Sequence, residues 1–145
     1  MLLVLLTLIL SSTANAIEVV LPAYTYENPI QACLENAAEK FNVPLSLLYR
    51  IARVESDFNP YALHPNRDGT LDVGLLQINS RNIKRFGYTV KEVYENPCLG
   101  IELGARYLRE CIDRYGLNKK GIGCYHSRTP SLSRKYASKI LAGSE

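Results

Sequence analysis

The sequence predicts an α+β domain that is mainly helical, with one small β-hairpin insertion. Three observations predict it. Apolar residues recur at helical spacing in several long segments, and residues suited to capping stand at the ends of those segments. Between residues 62 and 79 that period gives way to Asn66-Arg67-Asp68-Gly69-Thr70, the strongest turn signal in the chain, whose flanks suit a small hairpin or irregular β-rich lobe.

The elements follow in order. Asn28 and Pro29 offer an N-cap and an N1 proline, and a helix is predicted to residue 41 with Ile30, Cys33, Leu34, Ala37 and Phe41 on one stripe. Asn42-Val43-Pro44 breaks it, and a second helix over 45–56 is stopped by Asp57-Phe58-Asn59-Pro60. After the hairpin, helices resume with Ser80 as the expected cap, and Thr89-Val90-Lys91-Glu92 has the form of a capping box. The longest helix is predicted over 97–115, its stripe formed by Ile101, Ala105, Leu108, Ile112 and Tyr115 and its end closed by Gly116. Short helices are expected over 120–125 and 131–141.

Residues 1–16 read as an export signal: an apolar run from Leu2 to Leu10 is followed by Ala14-Asn15-Ala16, an A-x-A cleavage pattern. The run is too short to span a bilayer, which needs about 20 apolar residues. It also lacks the usual Lys or Arg near Met1. Residues 17–27 read as an extended lead-in, leaving 28–145 as one domain. An exported chain, periplasmic or secreted, is therefore expected to oxidise its four cysteines, Cys33, Cys98, Cys111 and Cys124. Three pairings are open, and Cys33–Cys98 with Cys111–Cys124 is favoured. Zinc is the rival reading, but there is no C-x-x-C, and His64 and His126 stand at no ligand-like spacing to the cysteines. No metal or other cofactor is implied. A formal charge of +3 suits a polyanionic partner and has no nucleic-acid motif beside it.

One residue breaks the pattern. In the second helix Leu48, Ile51, Ala52 and Glu55 lie at i, i+3, i+4 and i+7, so a carboxylate falls on the stripe that faces the core. Desolvation there, and the negative end of the helix dipole, both disfavour its charged form. A Glu kept protonated near neutral pH is what a general acid needs to protonate the oxygen of a breaking glycosidic bond. Periodicity alone leaves open that Glu55 swings out at the frayed helix end and pairs with Arg53 or Arg50.

The surrounding motifs carry a resemblance. Val54-Glu55-Ser56-Asp57-Phe58-Asn59-Pro60, then Asp72-Val73-Gly74-Leu75-Leu76-Gln77-Ile78-Asn79, resemble the E-S-x-F-N and G-L-x-Q-I-N signature of lytic transglycosylases. The likeness continues through Leu103-Gly104-Ala105-Arg106-Tyr107-Leu108 and ends at Tyr136-Ala137-Ser138-Lys139-Ile140, covering nearly all of the chain beyond the leader. It is similar in particular to the small specialised transglycosylases of conjugation, type IV pilus and secretion machines. The resemblance implies a lysozyme-like fold, a monomer acting on peptidoglycan glycan strands, and partners in such a machine. It implies Glu55 as the sole acid and base, Ser56 placing substrate or a water, Gln77 and Asn79 lining the glycan groove, and Tyr125 orienting Glu55. Tyr107 and Tyr136 are further candidates for substrate contact, although tyrosines on helix stripes are more often packing residues.

Two features depart from that pattern or compete with it. Where the family shows A-Y-N-A-G this chain has Cys124-Tyr125-His126-Ser127, so His126 replaces the hydrogen bonds of the amide, is a surface residue in a short loop or, least favoured, takes a direct part in catalysis. The stretch from Glu55 to Arg81 also resembles vertebrate-type lysozymes, in which an Asp at the place of Asp72 works with the Glu; the absence of Trp argues against a close match. Asp72 is thus a second carboxylate of a hydrolase or a structural residue at the base of the hairpin. A module that grips peptidoglycan without cutting it is the remaining alternative, and it would not need Glu55 on the apolar stripe.

Overall fold

The computed structural model describes residues 28–142. The expected leader and the 17–27 segment lie outside the described residues. Among the described residues seven helices and three short strands follow one another: α1 (Pro29–Phe41), α2 (Leu45–Ser56), β1 (Leu63–Pro65), β2 (Leu71–Val73), β3 (Ile78–Asn79), α3 (Ser80–Arg85), α4 (Val90–Glu95), α5 (Pro97–Tyr115), α6 (Lys119–Cys124) and α7 (Pro130–Ala142).

The helix ends follow from local chemistry. The Asn28 side chain accepts from the Ile30 N–H at 3.0 Å with Pro29 next in line, and α1 ends on Asn42 in the left-handed region at φ 48°. α2 ends likewise on Asp57, φ 50°. Thr89 and Glu92 close the capping box of α4 reciprocally. One cap differs from the sequence expectation: Asn79, not Ser80, caps α3, accepting from the Arg81 N–H at 3.0 Å. The reason is that the Ser80 hydroxyl is committed to the sheet, where it accepts from the Leu71 N–H at 3.1 Å. Asn79 still has extended backbone and so ends a strand while starting a helix.

The strands form one antiparallel sheet in the order β1-β2-β3, so the hairpin gains a third strand. His64 pairs with Asp72, and Asp72 with Asn79. The turn between β1 and β2 uses Gly69 at φ +78°, and the Asp68 carboxylate accepts from the Thr70 N–H.

Two apolar clusters share α5. The larger joins Leu34 and Ala37 of α1, Leu48, Ile51 and Ala52 of α2, Ile101, Ala105, Leu108 and Ile112 of α5, and Tyr136, Ala137 and Ile140 of α7. The smaller, under the sheet, contains Val73, Ile78, Ile83, Val93 and Leu103. Both favoured disulfides form, Cys33–Cys98 tying α1 to the start of α5 and Cys111–Cys124 tying α5 to α6. Closing loops of 65 and 13 residues stabilises the fold by roughly 4 and 3 kcal/mol on the chain-entropy account.

Candidate active site

Leu48, Ile51 and Ala52 of α2 are fully buried, and Glu55 continues their stripe out of the core. The helix stops one residue later, so the stripe opens at Glu55 into a cleft of about 700 Å³ between the helices and the sheet. The Glu55 carboxyl stays half-buried and accepts a hydrogen bond from the Tyr136 hydroxyl at 2.6 Å. Burial pushes its pKa above 4.5; the Tyr136 bond opposes this, Asp72 adds to it, and Lys139 opposes it. The Tyr136 phenol is itself raised by burial and then by the Glu55 charge, so it remains a donor at neutral pH.

Asp72 stands in the sheet wall of the same cleft. Each of its oxygens has a donor: Asn79 Nδ2 to Oδ1 at 2.7 Å, and Asn66 Nδ2 to Oδ2 at 2.9 Å. The buried hydroxyl of Thr70 accepts from the same two amides and donates to Asp68 at 2.7 Å. Arg81 closes the chain with an ion pair to Asp68 at 3.0 Å. Asn66 and Thr70 were legible only as turn residues, and no sequence signal separates them from an ordinary turn.

The cleft brings together Glu55, Asp72, Gln77, Asn79, Tyr107, Tyr125 and His126. Their local bonds refine the roles expected of them. Gln77 has left-handed backbone, φ 48°, and its amide donates to the Gly74 and Ala62 carbonyls at 2.9 and 3.2 Å. Asn79 gives both amide hydrogens to Thr70 and Asp72, so it holds the sheet wall rather than projecting free donors. Ser56 does not line the cleft; its hydroxyl donates to the Leu75 carbonyl at 2.8 Å, pinning the end of α2 to the loop after β2.

The hydroxyl that reaches Glu55 is that of Tyr136, not that of Tyr125. Tyr125 follows α6, and its hydroxyl donates to the Leu76 carbonyl at 2.7 Å. Gly104 makes room for this, since a Cβ there would lie 2.7 Å from Leu76 Cδ1 and 3.0 Å from Tyr125 Oη. The Tyr107 ring packs on Tyr125 at 5.5 Å between centroids. Tyr136 sits mid-way along α7, which packs on α2, and this packing aims its phenol at Glu55. His126 is exposed and stacks flat on Tyr136, centroids 4.9 Å apart and planes 7° from parallel. His64, in β1, is exposed.

Residues 32–141 match the family model of the transglycosylase SLT domain. The chain belongs to that family. Among curated proteins this SLT-domain chain is 36% identical over 115 residues to the invasion protein IagB of Salmonella typhi, covering 74% of this chain and 72% of that one. It is 35% identical over 106 residues to protein IpgF of Shigella sonnei, covering 71% and 70%. A crystal structure of a lysozyme from Litopenaeus vannamei superposes with a TM-score of 0.50 at 16% identity, over 80% of this chain and 95% of that one. This likeness carries the fold, which is lysozyme-like. A family of transglycosylases supports a peptidoglycan-directed, lytic-transglycosylase type of activity, and the paired cysteines are consistent with export.

Proposed function

We propose that the protein cleaves the β-1,4 bond between N-acetylmuramic acid and N-acetylglucosamine in peptidoglycan, leaving 1,6-anhydromuramic ends. The observation that carries this is a half-buried carboxyl, raised in pKa by desolvation, at the edge of a groove large enough for sugar rings. Glu55 protonates the leaving glycosidic oxygen. The resulting carboxylate then takes the proton of the muramic C6 hydroxyl as that oxygen closes on C1. One group serves both steps, and a basicity raised above that of an ordinary carboxylate by desolvation favours each proton transfer in turn. The Tyr136 hydroxyl holds the carboxyl in place and stabilises its charged form between the two steps.

The second reading, a hydrolase in which Asp72 is nucleophile or electrostatic partner, draws on the place of Asp72 in the same cleft and on its charge raising the pKa of Glu55. The two amides on Asp72 favour the transglycosylase reading, because they give that carboxylate a structural duty at the base of the hairpin. On either reading the enzyme works without a cofactor. Likeness to a protein named for invasion supports a role in opening the wall for a secretion, pilus or conjugation machine.

The test pairs a variant with a product analysis. Glu55→Gln is expected to abolish release of soluble fragments from purified peptidoglycan while the protein still sediments with it. Fragments from the wild type are expected to be lighter than hydrolysis products by one water. Unchanged release by the variant would remove Glu55 from the chemistry, and reducing ends would assign the hydrolase.

A further inference from the structure

The net charge of +3 hides a strong segregation. Residues 114–142 carry seven of the 17 Lys and Arg residues and none of the 14 Asp and Glu residues. Part of this charge lies beside Glu55, on the side away from the sheet. A hollow of about 280 Å³ between the end of α2 and α7 is lined by Glu55, Lys135, Tyr136 and Lys139. Through Val54 and Lys139 it joins a second hollow of about 310 Å³, lined by Arg50, Arg53 and Asp57. Arg50 and Arg53 stand at i and i+3 on α2, and Lys135 and Lys139 at i and i+4 on α7, so each pair occupies one helix face. Among the described residues none of these four cations is in an ion pair, whereas Lys40, Arg81, Arg85, Lys91 and Arg109 each are.

We infer that this basic groove receives the stem peptide of the muramic acid residue being cut, with Arg50, Arg53, Lys135 and Lys139 pairing its carboxylates. The inference rests on the glycan-cleaving reading and adds a second recognition element to it. The C1 that reacts belongs to the sugar whose lactyl arm carries the peptide, so an anionic chain must leave the cleft close to Glu55. From Glu55 to Arg50 the helix rises about 7.5 Å at 1.5 Å per residue. An extended peptide covers that in two to three residues at about 3.3 Å each. The length of the groove therefore matches the part of a short peptide that bears its acids. Asp57, the one carboxylate lining the outer hollow among the described residues, is the C-cap of α2, and its repulsion of an anionic peptide is outweighed by the attraction of the four cations.

The experiment measures cleavage of two substrates, glycan strands with their peptides and the same strands stripped by an amidase, by the wild type and by Arg50→Ala/Arg53→Ala. The double variant is expected to raise KM for peptide-bearing strands about tenfold, the size of two exposed charge pairs, with kcat and the KM for stripped strands unchanged. Restoring charge with Arg50→Lys/Arg53→Lys should recover most of the loss, and added salt should erase the difference between substrates. An equal KM change on both substrates, or none on either, overturns the inference. So does loss of binding to phosphatidylglycerol vesicles with KM unmoved, which would assign the patch to a membrane surface. If the wild type cuts neither substrate, the glycan-cleaving reading fails instead. Should the double variant not fold, Lys135→Ala on the exposed face of α7 tests the same KM split.

Discussion

The two walls of the cleft treat a carboxyl group in opposite ways. On the helical wall Glu55 emerges from an apolar stripe with one phenol for a partner, and desolvation dominates its proton affinity. On the sheet wall Asp72 has an amide donor on each oxygen and belongs to a chain of polar groups running through Thr70 and Asp68 to Arg81. A group short of polar partners keeps its proton and can lend it; a group surrounded by donors is fixed in place as an acceptor. On the proposed function, chemistry belongs to the first wall and architecture to the second.

Asp72→Asn tests the second wall and has the larger expected effect. Asparagine turns one acceptor into a donor, so an N–H must face the amide of Asn66 or Asn79. The unsatisfied pair should cost about 1–3 kcal/mol, read as a lower midpoint in denaturant. Removing the negative charge also removes one of the causes that raise Glu55, so the alkaline limb of the pH–rate profile should move to lower pH. Anhydro products should persist among the fragments still released. A loss of activity on the order of 10³-fold in a variant of undiminished stability would show Asp72 acting in the chemistry, and the contrast would fail.

How much of this was legible in the sequence divides along the same line. The helical wall was written locally: a 3.6-residue period placed Leu48, Ile51, Ala52 and Glu55 on one stripe, and the structure buries the first three and brings the fourth to a cleft. Capping chemistry placed both ends of α1 and α5 and the start of α4 within a residue. The partner of Glu55 was not legible, because Tyr136 lies 81 residues away and reaches it only through the packing of α7 on α2. The motifs implied that Ser56 places substrate or a water and that Tyr125 orients Glu55, but hydrogen bonds to the Leu75 and Leu76 carbonyls, formed across the fold, commit their hydroxyls to the loop after β2. The sheet wall was the least legible part. Asn66 and Thr70 look like turn residues one by one and Asn79 was expected only in the glycan groove, and the register of three strands is what converges them on Asp72.

Tyr136→Phe sharpens the first wall and should have a smaller effect. The phenol bond lowers the proton affinity of Glu55, so its loss should move the alkaline limb to higher pH, opposite in sign to Asp72→Asn. A looser carboxyl should also reduce kcat about tenfold, a fraction of the roughly 10²–10⁴-fold that a positioned acid contributes. His126 would keep a flat ring beneath it, so little packing is lost. A limb that stays in place would mean that the hydrogen bond does not bear on the proton of Glu55.

The smallest effect, and the most direct reading of the contrast, is on stability. Because the pKa of Glu55 lies above 4.5 in the folded protein, the native state holds a proton that the unfolded chain releases once the pH passes that value. Stability contributed by this group is therefore full below the unfolded pKa and falls as the pH rises through the window up to the folded pKa. Glutamine has no proton to lose, and its carbonyl can still accept from Tyr136. Glu55→Gln should thus raise Tm at about pH 7 and leave it unchanged at about pH 3.5, where the acid is neutral in both states. A Tm that is no higher than that of the wild type at neutral pH would mean that water already satisfies the Glu55 carboxylate. The helical wall would then differ from the sheet wall only in the identity of its donors.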